Sequence, residues 1–130
     1  MRDLTVKFSE SAGKIWQVLN EKGCLKKNKI LKTTKLNEVD FHSGLGWLAR
    51  ENKISKEDKD CFKLDVTNLE FEIGSNAGKI WNILDIWGDA DFVTIKRLSD
   101  LSDNEVHCAF GWLAREDKIC VDEKQRYNLK

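Results

Sequence analysis

The chain has 130 residues and no net formal charge, because 22 lysines and arginines balance 22 aspartates and glutamates. No apolar run approaches the roughly 20 residues of a membrane-spanning helix, and the opening sequence MRDLTVKFSE lacks the apolar stretch of a signal peptide. These features argue against a membrane protein and a secreted protein, and they predict a cytoplasmic protein that does not associate with membranes.

The second half of the chain repeats the first at an offset of 65 residues. The string GWLARE occupies residues 46–51 and again 111–116, and AGKIW occupies residues 12–16 and 77–81, with no gap in the alignment. We therefore predict two tandem units, residues 1–65 and 66–130. Because a unit of about 65 residues is only marginally stable alone, we expect the two to pack against each other.

Each unit begins with apolar residues at alternate positions, which is typical of a half-buried strand. These residues are Leu4, Val6 and Phe8 in the first unit and Leu69, Phe71 and Ile73 in the second. A helix follows, with Ser9 or Gly74 as its predicted N-cap, and it ends at Gly23 or Gly88.

Two more helices follow the first one in each unit. After a brief extended stretch, the second helix covers residues 30–36 and, in the second unit, residues 95–101. The third helix of the second unit begins with a capping box, Ser102 followed by Glu105, and Asn37 holds the equivalent cap position in the first unit.

The third helix runs through GWLARE and has one apolar face in each unit. That inward face consists of Phe41, Leu45 and Leu48 in the first unit and Val106, Phe110 and Leu113 in the second. Short apolar segments on either side of the polar turns EDKD and DEKQ then predict a β-hairpin. The predicted fold is α+β and mainly helical, each unit having the order strand, helix, short strand, helix, helix and β-hairpin.

That order resembles the winged helix-turn-helix, in which a hairpin wing follows the third helix. The combination of AGKIW with GLGWLARENKI or AFGWLAREDKI is similar, more narrowly, to a winged-helix family of unassigned function that occurs as single units in prokaryotes. The resemblance covers both halves of the chain. It implies a fused pair of units, and it suggests that single units of this kind dimerise.

In a helix-turn-helix, the exposed face of the third helix enters the major groove of DNA. The residues expected on that face are Asn37, Glu38, Asp40, His42, Ser43, Gly46 and Trp47 in the first unit and Ser102, Asp103, Glu105, His107, Cys108, Gly111 and Trp112 in the second. Neither set contains a lysine or an arginine, and both contain carboxylates. Insertion into the groove in the usual manner is therefore disfavoured.

Positive charge lies elsewhere in the first unit. Residues 1–65 contain 14 lysines and arginines against 10 acidic residues, a net charge of +4, whereas residues 66–130 contain 8 against 12, a net charge of −4. Lysines are concentrated between Glu21 and Glu38, where there is no carboxylate. They are candidates for contact with a nucleic-acid backbone: Lys22, Lys26, Lys27, Lys29, Lys32 and Lys35. The alternatives are a solvated surface and a contact with the acidic second unit of another chain.

A second set of residues is predicted to form contacts between units or between chains. Glycine inside a helix costs about 1 kcal/mol relative to alanine, so Gly46-Trp47 and Gly111-Trp112 indicate close packing of a neighbour. The alternative is that each tryptophan packs inside its own unit. His42 and His107, one turn earlier, are plain polar contacts or, if they meet across an interface, a pH-sensitive pair. Ile86, Trp87 and Phe92 replace charged or polar residues of the first unit and complete the predicted interface.

Nothing in the sequence predicts catalysis. There is no glycine-rich phosphate loop, nucleophile elbow or HExxH motif, and the four cysteines have no metal-ligand spacing. We therefore expect no enzyme, no cofactor, no metal and no small-molecule substrate. The expected function is a DNA-binding or otherwise nucleic-acid-associated regulator that contacts the backbone through its lysines. The alternative is a protein interaction or dimerisation module that uses its winged-helix faces for assembly and does not bind DNA.

Overall fold

The computed structural model describes residues 2–130, with side chains from residue 4 onwards. The first unit contains β1 (Arg2–Asp3), α1 (Thr5–Lys22), β2 (Leu25–Lys26), α2 (Lys27–Thr34), α3 (Glu38–Arg50), β3 (Ile54–Glu57) and β4 (Cys61–Leu64). The second contains a π-helical turn (Glu70–Gly74), α4 (Ser75–Trp87), β5 (Ala90–Asp91), α5 (Phe92–Ser99), α6 (Asp103–Arg115), β6 (Ile119–Val121) and β7 (Arg126–Leu129). None of the helices within this described part is long and apolar enough to cross a membrane.

Four helix ends lie where local sequence signals predicted them, whereas α2 and α5 begin three residues and end two residues earlier than predicted. α1 and α4 end at Gly23 and Gly88, whose φ angles of 79° and 86° are in the left-handed region that glycine adopts without strain. The Ser102 hydroxyl accepts from the backbone N–H of Glu105, whose side chain in turn accepts from the Ser102 N–H, so α6 begins with the predicted capping box. The Asn37 side chain caps α3.

The predicted strand at the start of each unit is wrong for the alternating apolar residues. α1 already begins at Thr5, ahead of the predicted cap Ser9, and the equivalent segment of the second unit is the π-helical turn. Leu4 and Phe8 are buried four residues apart, whereas Val6 is 65% exposed. Residues four positions apart share one face of a helix, but they also fit the two-residue period of a strand. The alternation of apolar residues therefore predicted the wrong element.

The first segment of each unit contacts the wing of the other unit. β1 pairs antiparallel with β6, with Arg2 opposite Val121, and extends a sheet of order β1-β6-β7-β5. The sheet of the first unit has the order β2-β4-β3, and no strand pairs with the outer edge of β3 within residues 2–130. There the Asn68 side chain accepts from the Lys56 N–H at 2.9 Å and donates to the Lys56 carbonyl at 2.7 Å, as a paired strand would.

The core lies around α3 and α6, which pack against each other and against the first helix of their own units. The predicted inward face of the third helix is confirmed, since Phe41, Val106 and Phe110 are fully buried. Ile15 of α1 and Ile80 of α4 are also fully buried. The architecture is therefore mainly helical, with α3 and α6 at the centre and a small antiparallel sheet in each unit.

Candidate nucleic-acid interface

The two recognition helices, α3 and α6, cross at Gly46 and Gly111 with their backbones in contact. A Cβ atom built on Gly46 would lie 1.8 Å from the carbonyl oxygen of Cys108, and one on Gly111 would lie 1.9 Å from that of Ser43. No side chain fits into such a gap, so each glycine allows a close approach that any other residue would prevent. The helical glycines are thus used for packing between the two units.

Trp47 and Trp112 lie on either side of this crossing. The guanidinium of Arg115 lies 5.7 Å from the ring centroid of Trp47, and that of Arg50 lies 5.7 Å from Trp112, so each ring stacks with an arginine of the other unit. Trp112 also packs on the π-helical turn of its own unit, where its ring lies 3.1 Å from a Cβ position built on Gly74. The two predicted alternatives, packing within a unit and between units, therefore both apply to Trp112.

Two reciprocal ion pairs connect the C-terminal ends of α3 and α6. Arg50 donates to Glu116 and Arg115 donates to Glu51, each at 3.0 Å between Nε and a carboxylate oxygen. Because the arginines are exposed, these pairs define the register of the crossing more than they contribute to its stability.

The predicted exposed face of the third helix is wrong for its central residues. His42, Ser43 and Gly46 are buried, as are Cys108 and Gly111 of the second unit, because each recognition helix covers the other. Among the residues of that face that stay accessible, the first turns contain the exposed acidic residues Glu38 and Asp103, and His107 and Trp112 are half-buried. We call the two units joined at this crossing the closed pair. Its third helices thus present no basic face to a DNA groove.

The two histidines have different neighbours on either side of the crossing. His42 Nδ1 lies 3.5 Å from the Cys108 sulfur, and its Nε2 lies 3.5 Å from Lys27 Nζ. Burial and then the charge of Lys27 lower the pKa of His42 to about 4. The His107 ring instead stacks on Phe92, with 4.7 Å between centroids, and burial lowers its pKa as well. Both rings are therefore neutral at pH 7, and the hypothesis of a histidine pair titrating near pH 6.5 is not supported.

Five lysines of the predicted cluster are exposed, and we call this set the lysine face. Its exposed members are Lys22 at the end of α1, Lys26 of β2, Lys29 and Lys32 of α2, and Lys35 just after α2. Lys27, the sixth predicted residue, is half-buried and forms an ion pair with Glu38. On the helical wheel of α2, Lys29 and Lys32 are three residues apart and share one side, while Ile30 is fully buried.

The wing of the first unit adds two lysines that the sequence analysis did not single out. Lys56 and Lys59 line the same cleft as Lys26 and Lys27, although they are about 30 positions away in sequence. Their position beside the wing turn could have identified them from the sequence, because wings commonly contact the nucleic-acid backbone. The sequence analysis considered only the acidic residues of that turn.

The predicted apolar contacts of the second unit separate into two places. Ile86 and Trp87, at the end of α4, are 78% and 63% exposed. Phe92 is half-buried and packs on His107 and Phe110 inside its own unit. The carboxylates of Asp85 and Asp89 are exposed beside the first pair in sequence, so the exposed apolar surface has acidic neighbours.

The cysteines and acidic residues form no other chemical site in the described part of the chain. All four cysteines have free thiols, and burial raises the pKa of Cys108 to about 12. No group of three potential metal ligands comes together among the described residues.

Comparison with known proteins agrees with this architecture. The winged helix-turn-helix domain family (DUF2582) matches residues 4–64 and again residues 67–129. The chain is also 41% identical over 65 residues to an uncharacterized protein of Methanocaldococcus jannaschii, a match that covers 45% of this chain and 91% of that protein, which is therefore about as long as one unit. No solved structure matches the chain. Since the family matches nearly the whole of both halves, the chain belongs to this winged helix-turn-helix family and carries two of its domains in tandem.

Proposed function

We propose that the protein binds the phosphate backbone of nucleic acid through the lysine face and the neighbouring lysines of the wing. Winged helix-turn-helix domains are often DNA-binding, and proteins of this fold are typically non-enzymatic. The observation that carries the proposal is the set of five exposed lysines between Lys22 and Lys35, a segment that contains no carboxylate. Lys56 and Lys59 extend that set onto the wing.

The proposed contact holds the backbone and does not read bases. The faces of α3 and α6 that would enter the major groove are buried against each other, and their accessible first turns are acidic. Lysines on a short surface helix neutralise phosphates without selecting a sequence. Five such contacts would make the logarithm of the affinity for B-DNA fall with the logarithm of the salt concentration with a slope of about −4 to −5.

Binding to random-sequence double-stranded DNA and to single-stranded RNA across a salt series tests this proposal. The triple variant Lys26→Glu, Lys29→Glu and Lys32→Glu changes exposed residues only, so it leaves the ion pair of Lys27 in place. It should abolish binding. The matched control, Lys79→Glu, Lys118→Glu and Lys124→Glu, changes the net charge equally by substituting exposed lysines of the second unit, and it should retain most of the affinity. Equal losses in both variants would show a nonspecific charge effect and would refute a binding surface at the lysine face.

A second candidate function is self-assembly, and the exposed pair Ile86 and Trp87 favours it. Large apolar side chains at the end of α4 lie where the first unit has Glu21 and Lys22. The exposed carboxylate of Asp85 beside them is complementary to the lysine face of another copy, whereas Asp89 is paired with Arg126. Sedimentation equilibrium of the wild type and of the double variant Ile86→Ala and Trp87→Ala separates the two functions. Assembly predicts association that weakens in this variant and in high salt, with nucleic-acid binding unchanged. A wild type that is monomeric at all concentrations would refute it.

A further inference from the structure

A cleft of about 530 Å³ opens between the two units on the side of the lysine face. Its walls include Lys26 and Lys27 at the start of α2, His42 of α3 and Phe62 of the wing, and the second unit contributes Asn76 of α4. This volume lies within the range of about 300 to 1,000 Å³ that is common for small-molecule sites. The residues at the equivalent positions of the second unit indicate which chemical groups this cleft can accommodate.

An aromatic ring fills the equivalent place in the second unit. Lys27 corresponds to Phe92, whose ring lies parallel to that of His107 with an interplanar angle of 12° and 4.7 Å between centroids. In the first unit, the histidine is retained as His42, but Lys27 provides an ammonium group near its Nε2 and no ring. The first unit therefore has a lysine where the second has a ring, and His42 lines the cleft beside it.

A carboxylate is missing from the same place. Asp91, the N-cap of α5, accepts from the backbone N–H of Thr94 at 2.8 Å. The equivalent residue, Lys26, has the same extended backbone but an amino group, and no side chain caps the eight-residue helix α2 among the described residues. The free N–H groups and the positive dipole of its first turn attract an anion. Lys26 adds a positive charge, whereas Lys27 is already paired with Glu38.

A buried amide provides an independent indication of a ligand. Asn76 is only 9% exposed and lines the cleft, yet its side chain forms no hydrogen bond with any other described residue. Its counterpart Ser11, in contrast, donates to the carbonyl of Lys7 at 3.3 Å. Ser43 Oγ is the only fully buried polar side-chain atom without a partner among the described residues, so the amide atoms of Asn76 are accessible from the cleft. They can donate to and accept from a molecule that lies there.

Two of the carboxylates around the cleft are already engaged. Asp60 lies 3.3 Å from Lys56, and Glu105 accepts from the N–H of Ser102 at 2.9 Å. Glu72 is the third. Asp60 neutralises Lys56, and Glu38 neutralises Lys27. The positive charge of the wall therefore comes from Lys26 and Lys59, which form no ion pair with other described residues.

We propose that this cleft binds a small aromatic acid, which is a planar ring joined to a carboxylate or a phosphate. Its ring would lie beside His42, where the second unit places Phe92, and its anionic group at the start of α2, where the second unit places Asp91. Because residues of both units line the cleft, the ligand binds only the closed pair and stabilises it by mass action. The site shares Lys26 with the lysine face, but ligand binding in the cleft does not depend on nucleic-acid binding.

Titration followed by amide and imidazole NMR signals tests the proposal with three probes: phenylacetate, phenyl phosphate and the neutral phenylacetamide. The two anions should shift the signals of His42 and Asn76, and the one that binds more tightly identifies the preferred acid. Phenylacetamide should bind at least tenfold more weakly than phenylacetate. Equal binding of the amide, or no shift with either anion at millimolar concentration, would overturn the proposal.

Two variants that copy the second unit locate the site. Lys27→Phe provides the missing ring and should weaken binding of the better anion at least tenfold, whereas Lys32→Phe on the exposed side of α2 should not. Lys26→Asp provides the missing cap at an exposed position, so the protein should stay folded while its own carboxylate excludes the anion. Unchanged affinity in both cleft variants would refute the assignment.

Discussion

The crossing of α3 and α6 makes Gly46 the position at which a single methyl group should do the most damage. In Gly46→Ala, the new Cβ would lie 1.8 Å from the Cys108 carbonyl oxygen and 2.7 Å from its carbonyl carbon, although real Cβ contacts essentially never fall below 3.0 Å. The helices must therefore move apart by about 1.2 Å. Overpacking of this kind costs about 3 kcal/mol. Alanine is more favourable than glycine inside a helix by about 1 kcal/mol, so the free energy of unfolding should fall by about 2 kcal/mol in total.

Gly13→Ala and Gly78→Ala provide matched controls for this variant. Both glycines are also inside helices, but a Cβ built on either has no atom within 4 Å. Each control should therefore gain about 1 kcal/mol from helix propensity alone. Urea denaturation followed by tryptophan fluorescence would measure all three variants. If Gly46→Ala is as stable as Gly13→Ala, the recognition helices do not cross at this glycine and the closed pair described above is incorrect.

Three further measurements test other contacts. The pKa of His42 is about 4 in the folded protein and 6.5 when unperturbed, so its neutral form stabilises the fold at pH 7. That contribution should be lost as the pH falls from about 6.5 to 4. The unfolding free energy of His42→Gln should depend less on pH over this window. Ser102→Ala removes the capping box of α6 and should cost about 1 kcal/mol in urea denaturation, and a cost near zero would contradict the role of the cap. Asn68→Ala removes both hydrogen bonds to the Lys56 backbone, and the amide of Lys56 should then exchange with solvent faster, whereas an unchanged rate would show that the contact is not formed in solution.

Features set by local chemistry were predictable from the sequence. The ends of the first helices at Gly23 and Gly88 and the capping box at Ser102 depend on residues within one turn of each other. The inward face of the third helix was predictable from the three- and four-residue spacing of its apolar residues. The lead segments were misassigned because Leu4 and Phe8 fit both a strand and a helix, and only packing on α3 distinguishes the two.

Features that need both units at once were not predictable in the same way. The sequence indicated that Gly46 packs against a neighbour, but it could not show that the neighbour is the backbone of Cys108, 62 positions later. For the same reason, His42 and Ser43 were placed on the exposed face although α6 covers them. The cleft was missed entirely, since His42 and Asn76 meet there only after the two units have paired.

The differences between the two halves have a physical origin in their fusion. In a dimer of identical units, every substitution appears twice, so a new lysine would change both partners. In the tandem chain, Lys26 and Lys27 can replace Asp91 and Phe92 on one side while the other side keeps its capped, aromatic packing. The second half has a capped helix and a stacked aromatic pair where the first half has two lysines. The lysine face lies on the first half and the cleft lies between the halves, so both features arise where the two halves differ.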